Sequence, residues 1–151
     1  MLLVSAHELG HRRLRHVAQG TLVGMAGMVA GVLVLWGLLS SHAVLGAIGA
    51  AGPGDPRVIP FVLLAASLMQ LLGAPFESAL SRRWETDADR FSLELTHDLQ
   101  VFEESHRDLA TSNLIDLDPP RWLYVMMFSH PTPPERIAAA RRWARGAGEG
   151  S

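Results

Sequence analysis

Two long runs without a formal charge limit what this chain can fold into. Between Val17 and Gly54 the sequence has no Asp, Glu, Lys or Arg, and between Val58 and Phe76 it again has none. Each run reaches the ~20 residues a helix needs to cross ~30 Å of hydrocarbon. The expectation is two transmembrane helices, 17–39 and 58–80, joined by a Gly/Pro-rich connection from Ser40 to Pro56. Gly20, Gly24, Gly27 and Gly31 recur at three- to four-residue spacing in the first span, a pattern that lets another helix approach closely in lipid. Arg12, Arg13 and Arg15 precede the first span and Arg82 and Arg83 follow the second, while the connection has only Arg57 beside it. By the positive-inside rule both outer ends face the cytoplasm, which makes this an integral, multi-pass protein with both termini on that side. The competing reading is a soluble protein with a buried helical hairpin.

Charge removes one partner class. All 13 cationic residues are arginine and the formal net charge is −2, so no basic stripe is available for nucleic acid. The chain has no cysteine, so a metal would have to be held by His, Asp or Glu. Met1 to Ala6 is too short an apolar run for a cleavable signal peptide.

Just ahead of the first span stands His7-Glu8-Leu9-Gly10-His11. Residues four apart share a helix face at about 6 Å, so both imidazoles reach one ion, while Glu8 is turned aside toward a metal-bound water. A catalytic zinc site takes three protein ligands and leaves a position for water. The third ligand must come from elsewhere, and Glu85, four residues before Asp89 on the helix after the second span, is the candidate. Asp89 is placed to accept a hydrogen bond from a ligating histidine or to assist proton transfer. The alternative for Glu85 and Asp89 is ordinary surface pairing with Arg82, Arg83 or Arg90.

The remaining pattern is helical throughout. A zinc helix is expected over 2–16, then the two spans, then a catalytic remainder over 81–145 and a flexible tail over 146–151, all one domain. Trp84, Ala88, Phe91 and Leu95 form an apolar stripe on a helix from Ser81 to Leu95. Asp98 can cap a helix over Leu99–Asn113, and Arg121–Phe128 reads as a short helix after the Asp116–Pro120 break. Thr132-Pro133-Pro134-Glu135 has the form of a capping box, so a last helix should start there and stop at Gly146.

These motifs resemble peptidase family M48. Met1–His11 looks like that family's active-site helix, and Ser81-Arg82-Arg83-Trp84-Glu85-Thr86-Asp87-Ala88-Asp89-Arg90-Phe91 resembles its second signature. Asn113-Leu114, Asp118-Pro119-Pro120 and Phe128-Ser129-His130-Pro131-Thr132-Pro133-Pro134-Glu135-Arg136-Ile137 are similar to the closing segment of the CAAX prenyl protease 1 (Ste24-type) branch. The resemblance implies an all-α, membrane-embedded zinc metallopeptidase with a two-span hairpin between its zinc-binding helices. It implies His7, His11 and Glu85 as Zn2+ ligands, Glu8 as general base and Asp89 as an orienting or proton-donating group. For His130 it implies either stabilisation of an oxyanion or a loop histidine that only ends a helix. His16, His42, His97 and His106 match no motif position and read as surface or interfacial. The implied activity is hydrolysis of peptide bonds in membrane-associated proteins, with the zinc site on the cytoplasmic side. Ste24-type enzymes carry several membrane helices before the zinc helix, and this chain begins six residues before His7, so a truncated member is expected. The alternative is a catalytically inactive two-span protein that keeps a structural or regulatory zinc site.

Overall fold

The computed structural model describes residues 2–148. Seven helices follow in order: α1 Leu2–Arg13, α2 His16–Leu39, α3 His42–Ala47, α4 Val58–Thr96, α5 Leu99–Ser112, α6 Arg121–Met127 and α7 Pro133–Gly148. No strand occurs among the described residues, so the fold is all-α, as the residue pattern requires. Contacts divide the chain into two units, one from Ala18 to Ala74 and one formed by the residues up to Val17 with those from Pro75 onward.

The unit from Ala18 to Ala74 holds most of α2, all of α3 and the first part of α4. His16 is the one buried residue of α2, and the apolar windows of α2 and α4 are 0% and 6% buried. Both helices are long and apolar enough to cross a membrane, and they present their apolar side chains outward rather than burying them as a core. Side chains added at Gly24, Gly27 or Gly31 would meet nothing within 4 Å, so among the described residues no helix packs on that small-residue face. The Gly/Pro-rich connection contains a helix that its composition does not suggest, α3, capped where Ser41 Oγ accepts from the Val44 N–H. Asp55 closes the connection by accepting from the Ala51 and Arg57 N–H groups.

Helix α4 is a single helix of 39 residues, so the helix expected from Ser81 to Leu95 continues the second apolar segment without a break. Such a helix is about 58 Å long, nearly twice the ~30 Å thickness of a bilayer's hydrocarbon. Pro75 lies inside it without ending it. The helix stops at Thr96 because His97 takes a left-handed φ of 51°, a capping conformation that histidine tolerates better than most residues. Of the expected stripe, Ala88 is fully buried and Trp84 and Phe91 are half-buried, whereas Leu95 is exposed.

In the second unit, Leu3 of α1, Leu93 of α4, Phe102 of α5 and Ala140 of α7 form the buried core, flanked by Leu99 and Trp143. Burying Phe102 and Leu93 stabilises the unit by about 1.5–3 kcal/mol each. Asp98 caps α5 by accepting from the Val101 N–H at 3.0 Å. Arg141 of α7 bonds both oxygens of Glu103 on α5 at 2.7 and 2.8 Å. At the start of α7, Glu135 Oε2 accepts from the Thr132 N–H at 2.8 Å, which is the capping arrangement the sequence suggests. Helix α7 then runs through Gly146, which does not take the left-handed conformation that would end it. Of the tail expected at 146–151, residues 146–148 are therefore helical and 149–151 lie outside the described residues.

Helix α1 ends at Arg13, three residues earlier than expected, and Arg15 adopts a left-handed φ of 58° before α2 begins. His16 is consequently buried rather than superficial. His106 also departs from expectation: it is buried on α5, with Nδ1 2.8 Å from the Phe102 carbonyl and its ring stacked on Phe102.

Candidate active site

Leu3, Ala6 and Gly10 line the buried face of α1, and His7 and His11 stand beside that stripe. The facing stretch of α4 buries Glu85, Ala88, Asp89, Ser92 and Leu93 at helical spacing. The two helices come into close contact at Gly10, where a Cβ would lie 3.2 Å from Ala88 Cα and 3.3 Å from both Ala88 O and Phe91 Cβ. Only glycine permits that approach without a shift. It brings two imidazoles on α1 up to two carboxylates on α4.

His7, His11 and Glu85 each offer a donor atom within 4.8 Å of the others, and they can hold a metal ion together. His7 Nε2 and His11 Nε2 are 3.1 Å apart, and each has a Glu85 carboxylate oxygen at 3.4 Å. Ligands about 2.0–2.1 Å from a tetrahedral zinc lie about 3.3 Å from one another, close to the 3.1 Å between the imidazoles and to the 3.4 Å from His7 to Glu85 Oε2 and from His11 to Glu85 Oε1. Two neutral imidazoles and one carboxylate are also a donor set that zinc accepts. Among the described residues no other group of three such side chains is brought together in this way.

Asp89 supports the cluster from behind. His7 Nδ1 donates to Asp89 Oδ1 at 3.0 Å, so in the neutral ring it is the opposite nitrogen, facing His11 and Glu85, that would carry the lone pair. Arg136 of α7 grips the same carboxylate with two donors, Nε to Oδ2 at 2.6 Å and Nη2 to Oδ1, and reaches Glu85 at 3.6 Å. Burial pushes the Asp89 carboxyl up, but the hydrogen bonds from His7 and Arg136 outweigh it and hold the group below the usual carboxylate range. Burial likewise works against Glu85 ionisation and is outweighed by His7, His130 and Arg136, so Glu85 is held low and charged. Without a metal, burial pulls the His7 imidazole down while the Asp89 and Glu85 carboxylates pull it further up, to about 9. A metal therefore has to displace a proton there.

Glu8 is exposed, next to His7 in sequence, and makes no ion pair or hydrogen bond among the described residues. His130 lies on the loop between α6 and α7, exposed, with Nε2 3.5 Å from Glu85 Oε1 and Nδ1 2.8 Å from Ser129 Oγ. That loop is tied down by Arg82, which donates to the Tyr124 and Phe128 carbonyls at 3.1 and 2.6 Å and lies 4.5 Å over the Tyr124 ring. A cavity of about 930 Å³ is lined by Arg82, Arg83, Arg90 and Arg136 and reaches Asp89, not the three clustered donors. A smaller one of about 390 Å³ is bordered by His106, His130 and Arg136.

The profile of peptidase family M48 matches residues 1–144. The chain belongs to peptidase family M48. A curated relative, the uncharacterized metalloprotease YhfN of Bacillus subtilis (strain 168), is 31% identical over 144 residues, which is 94% of this chain and 34% of YhfN. This M48 chain thus spans about a third of the length of that relative. The crystal structure of S. mikatae Ste24p shares the fold, with a TM-score of 0.73 and 22% identity over 91% of this chain and 35% of that one.

The M48 chain brings His7, His11, Glu85 and Asp89 into one cluster, with His130 at its edge and Glu8 exposed beside it. His42 and His97 are exposed. Two participants escape the sequence reading. Arg136 falls inside a motif yet has no role there, because its partner Asp89 is 47 residues away. Its only local signal is its position one residue after the capping Glu135. His16 is the other.

Proposed function

We propose that this chain carries the catalytic centre of a membrane-embedded zinc metalloendopeptidase that cleaves peptide bonds in membrane-associated proteins. The observation that carries this reading is the convergence of His7 Nε2, His11 Nε2 and the Glu85 carboxylate at mutual distances of 3.1–3.4 Å. When bound, zinc supplies Lewis acidity toward water and toward the scissile carbonyl. Glu8 takes a proton from the attacking water and delivers it to the leaving amine, a role that suits a carboxylate with no partner among the described residues. Asp89 fixes the His7 tautomer, and Arg136 keeps Asp89 charged and in place. His130 donates a hydrogen bond to the developing oxyanion from the rim. Segments 17–39 and 58–80 cross the bilayer, and the arginines flanking them put the zinc-binding residues and both termini on the cytoplasmic side.

Zinc quantitation and turnover of a casein-type substrate by the detergent-solubilised chain test this reading. Glu8→Gln should keep zinc and lose proteolysis, while Glu85→Ala should lose zinc. Unchanged turnover in Glu8→Gln removes Glu8 as base, and full zinc occupancy in Glu85→Ala puts the third ligand elsewhere. A parent chain that binds zinc and hydrolyses nothing fits the non-catalytic alternative instead.

A further inference from the structure

His16 opens α2, and none of the roles above uses it. Its side chain is buried, 5% exposed, and stacks on the Trp84 indole with ring centroids 5.8 Å apart and 22° between planes. Its Nδ1 lies 3.0 Å from His11 Nδ1, and the two rings meet edge to face at 80°. In an unbroken helix, residues five apart are about 140° apart around the axis, so these imidazoles would point to different faces. The break at Leu14 and Arg15 brings them together.

A contact between two Nδ1 atoms has one consistent protonation when His11 Nε2 faces His7 and Glu85 with its lone pair free. His11 then carries its proton on Nδ1 and donates it; His16 accepts at Nδ1 and keeps its own proton on Nε2. The same device serves His7, whose Nδ1 donates to Asp89. We infer that His16 is a positioning residue for the metal centre, accepting the His11 Nδ1–H and so fixing the tautomer and ring orientation in which His11 Nε2 faces Glu85. This rests on the metal-site reading above. A neutral imidazole orients His11 without adding negative charge to a site that already contains Glu85 and Asp89. His16 is not itself a ligand, since it meets His11 on the ring nitrogen turned away from the cluster and stands outside the group of converging donors.

Two substitutions separate positioning from packing. His16→Phe keeps a ring against Trp84 and removes the acceptor, whereas His16→Asn puts an amide oxygen near the Nδ1 position and gives up the stacking. The experiment measures zinc affinity of the detergent-solubilised chain by chelator competition, the visible spectrum of the cobalt-substituted site, and the thermal midpoint in excess chelator. His16→Phe should bind zinc about 10–100-fold more weakly and shift the cobalt spectrum, with a metal-free midpoint near the parent's. His16→Asn should recover parental affinity to within a few-fold. Parental affinity in His16→Phe, or equal weakness in both variants, reduces His16 to packing and overturns the inference. A parent that binds no zinc, or a Glu85→Ala variant that binds as well as the parent, overturns the metal-site reading, and the inference with it.

Discussion

Gly10 links the packing of α1 to the geometry of the His7, His11 and Glu85 cluster, and Gly10→Ala measures that link. The new Cβ would sit 3.2–3.3 Å from Ala88 Cα, Ala88 O and Phe91 Cβ. Carbon pairs prefer about 3.5–4.0 Å, so α1 must withdraw from α4 by up to about half an ångström. Two stability terms then oppose each other. Overpacking a tight contact costs about 1–3 kcal/mol, while exchanging glycine for alanine inside a helix gains about 1 kcal/mol. The net change is expected to be about 1 kcal/mol, a modest drop in the thermal midpoint. Metal binding has no such compensation. Ligand distances tolerate about ±0.2 Å, and a withdrawal of α1 carries His7 and His11 together away from Glu85. Zinc affinity should fall by at least about tenfold, as it does when the support of a ligand is lost. The assay is chelator competition on the detergent-solubilised variant, paired with thermal unfolding in excess chelator. Parental zinc affinity in Gly10→Ala would refute the claim that this close approach sets the spacing of His7 and His11 from Glu85.

Three further outcomes follow from the same contacts. Arg136→Met leaves a buried Asp89 carboxylate with only His7 to balance it, a loss of about 3–5 kcal/mol at neutral pH. Asp89 is held low in the parent, so its contribution is present above the ordinary carboxylate range and disappears as pH falls toward its lowered value; chemical denaturation across acidic pH should show that slope in the parent and a flatter one in Arg136→Met. The metal-free His7 imidazole is raised to about 9, so its contribution is complete below 6.5 and disappears as pH rises through 9. Thermal scans in chelator at both ends of that window should show a lower midpoint at the alkaline end, and His7→Gln should remove the difference. Arg82→Ala frees the Phe128 carbonyl and the loop bearing His130; zinc content should stay parental while turnover falls about tenfold or more, and an unchanged rate would separate His130 from the chemistry.

The sequence reading reaches what spacing alone encodes. His7 and His11 are one helical turn apart, as are Glu85 and Asp89, and a helix turns that interval into a shared face without help from the rest of the chain. The two charge-free runs announce α2 and the first part of α4 for the same reason, since length and composition suffice. Arg136 and His16 are invisible because each takes its meaning from another helix, Asp89 on α4 in one case and Trp84 on α4 in the other. The continuation of the second apolar segment into the helix from Ser81 is legible because the change from apolar to charged residues there marks a change of surroundings, not an interruption of backbone hydrogen bonding. Helix α3 lies among glycines that lower any local expectation of helix.

Arg15 is exposed and its side chain belongs to none of the clustered groups, yet its left-handed torsion decides where the next residue lands. An ordinary L-residue adopts that torsion at a cost of about 1–2 kcal/mol, and a β-branched side chain tolerates it worst. Encoding of this centre thus extends to a position that a map of side-chain neighbours would discard. A mutational scan guided by proximity alone would overlook it, whereas a screen for backbone tolerance would find it at once.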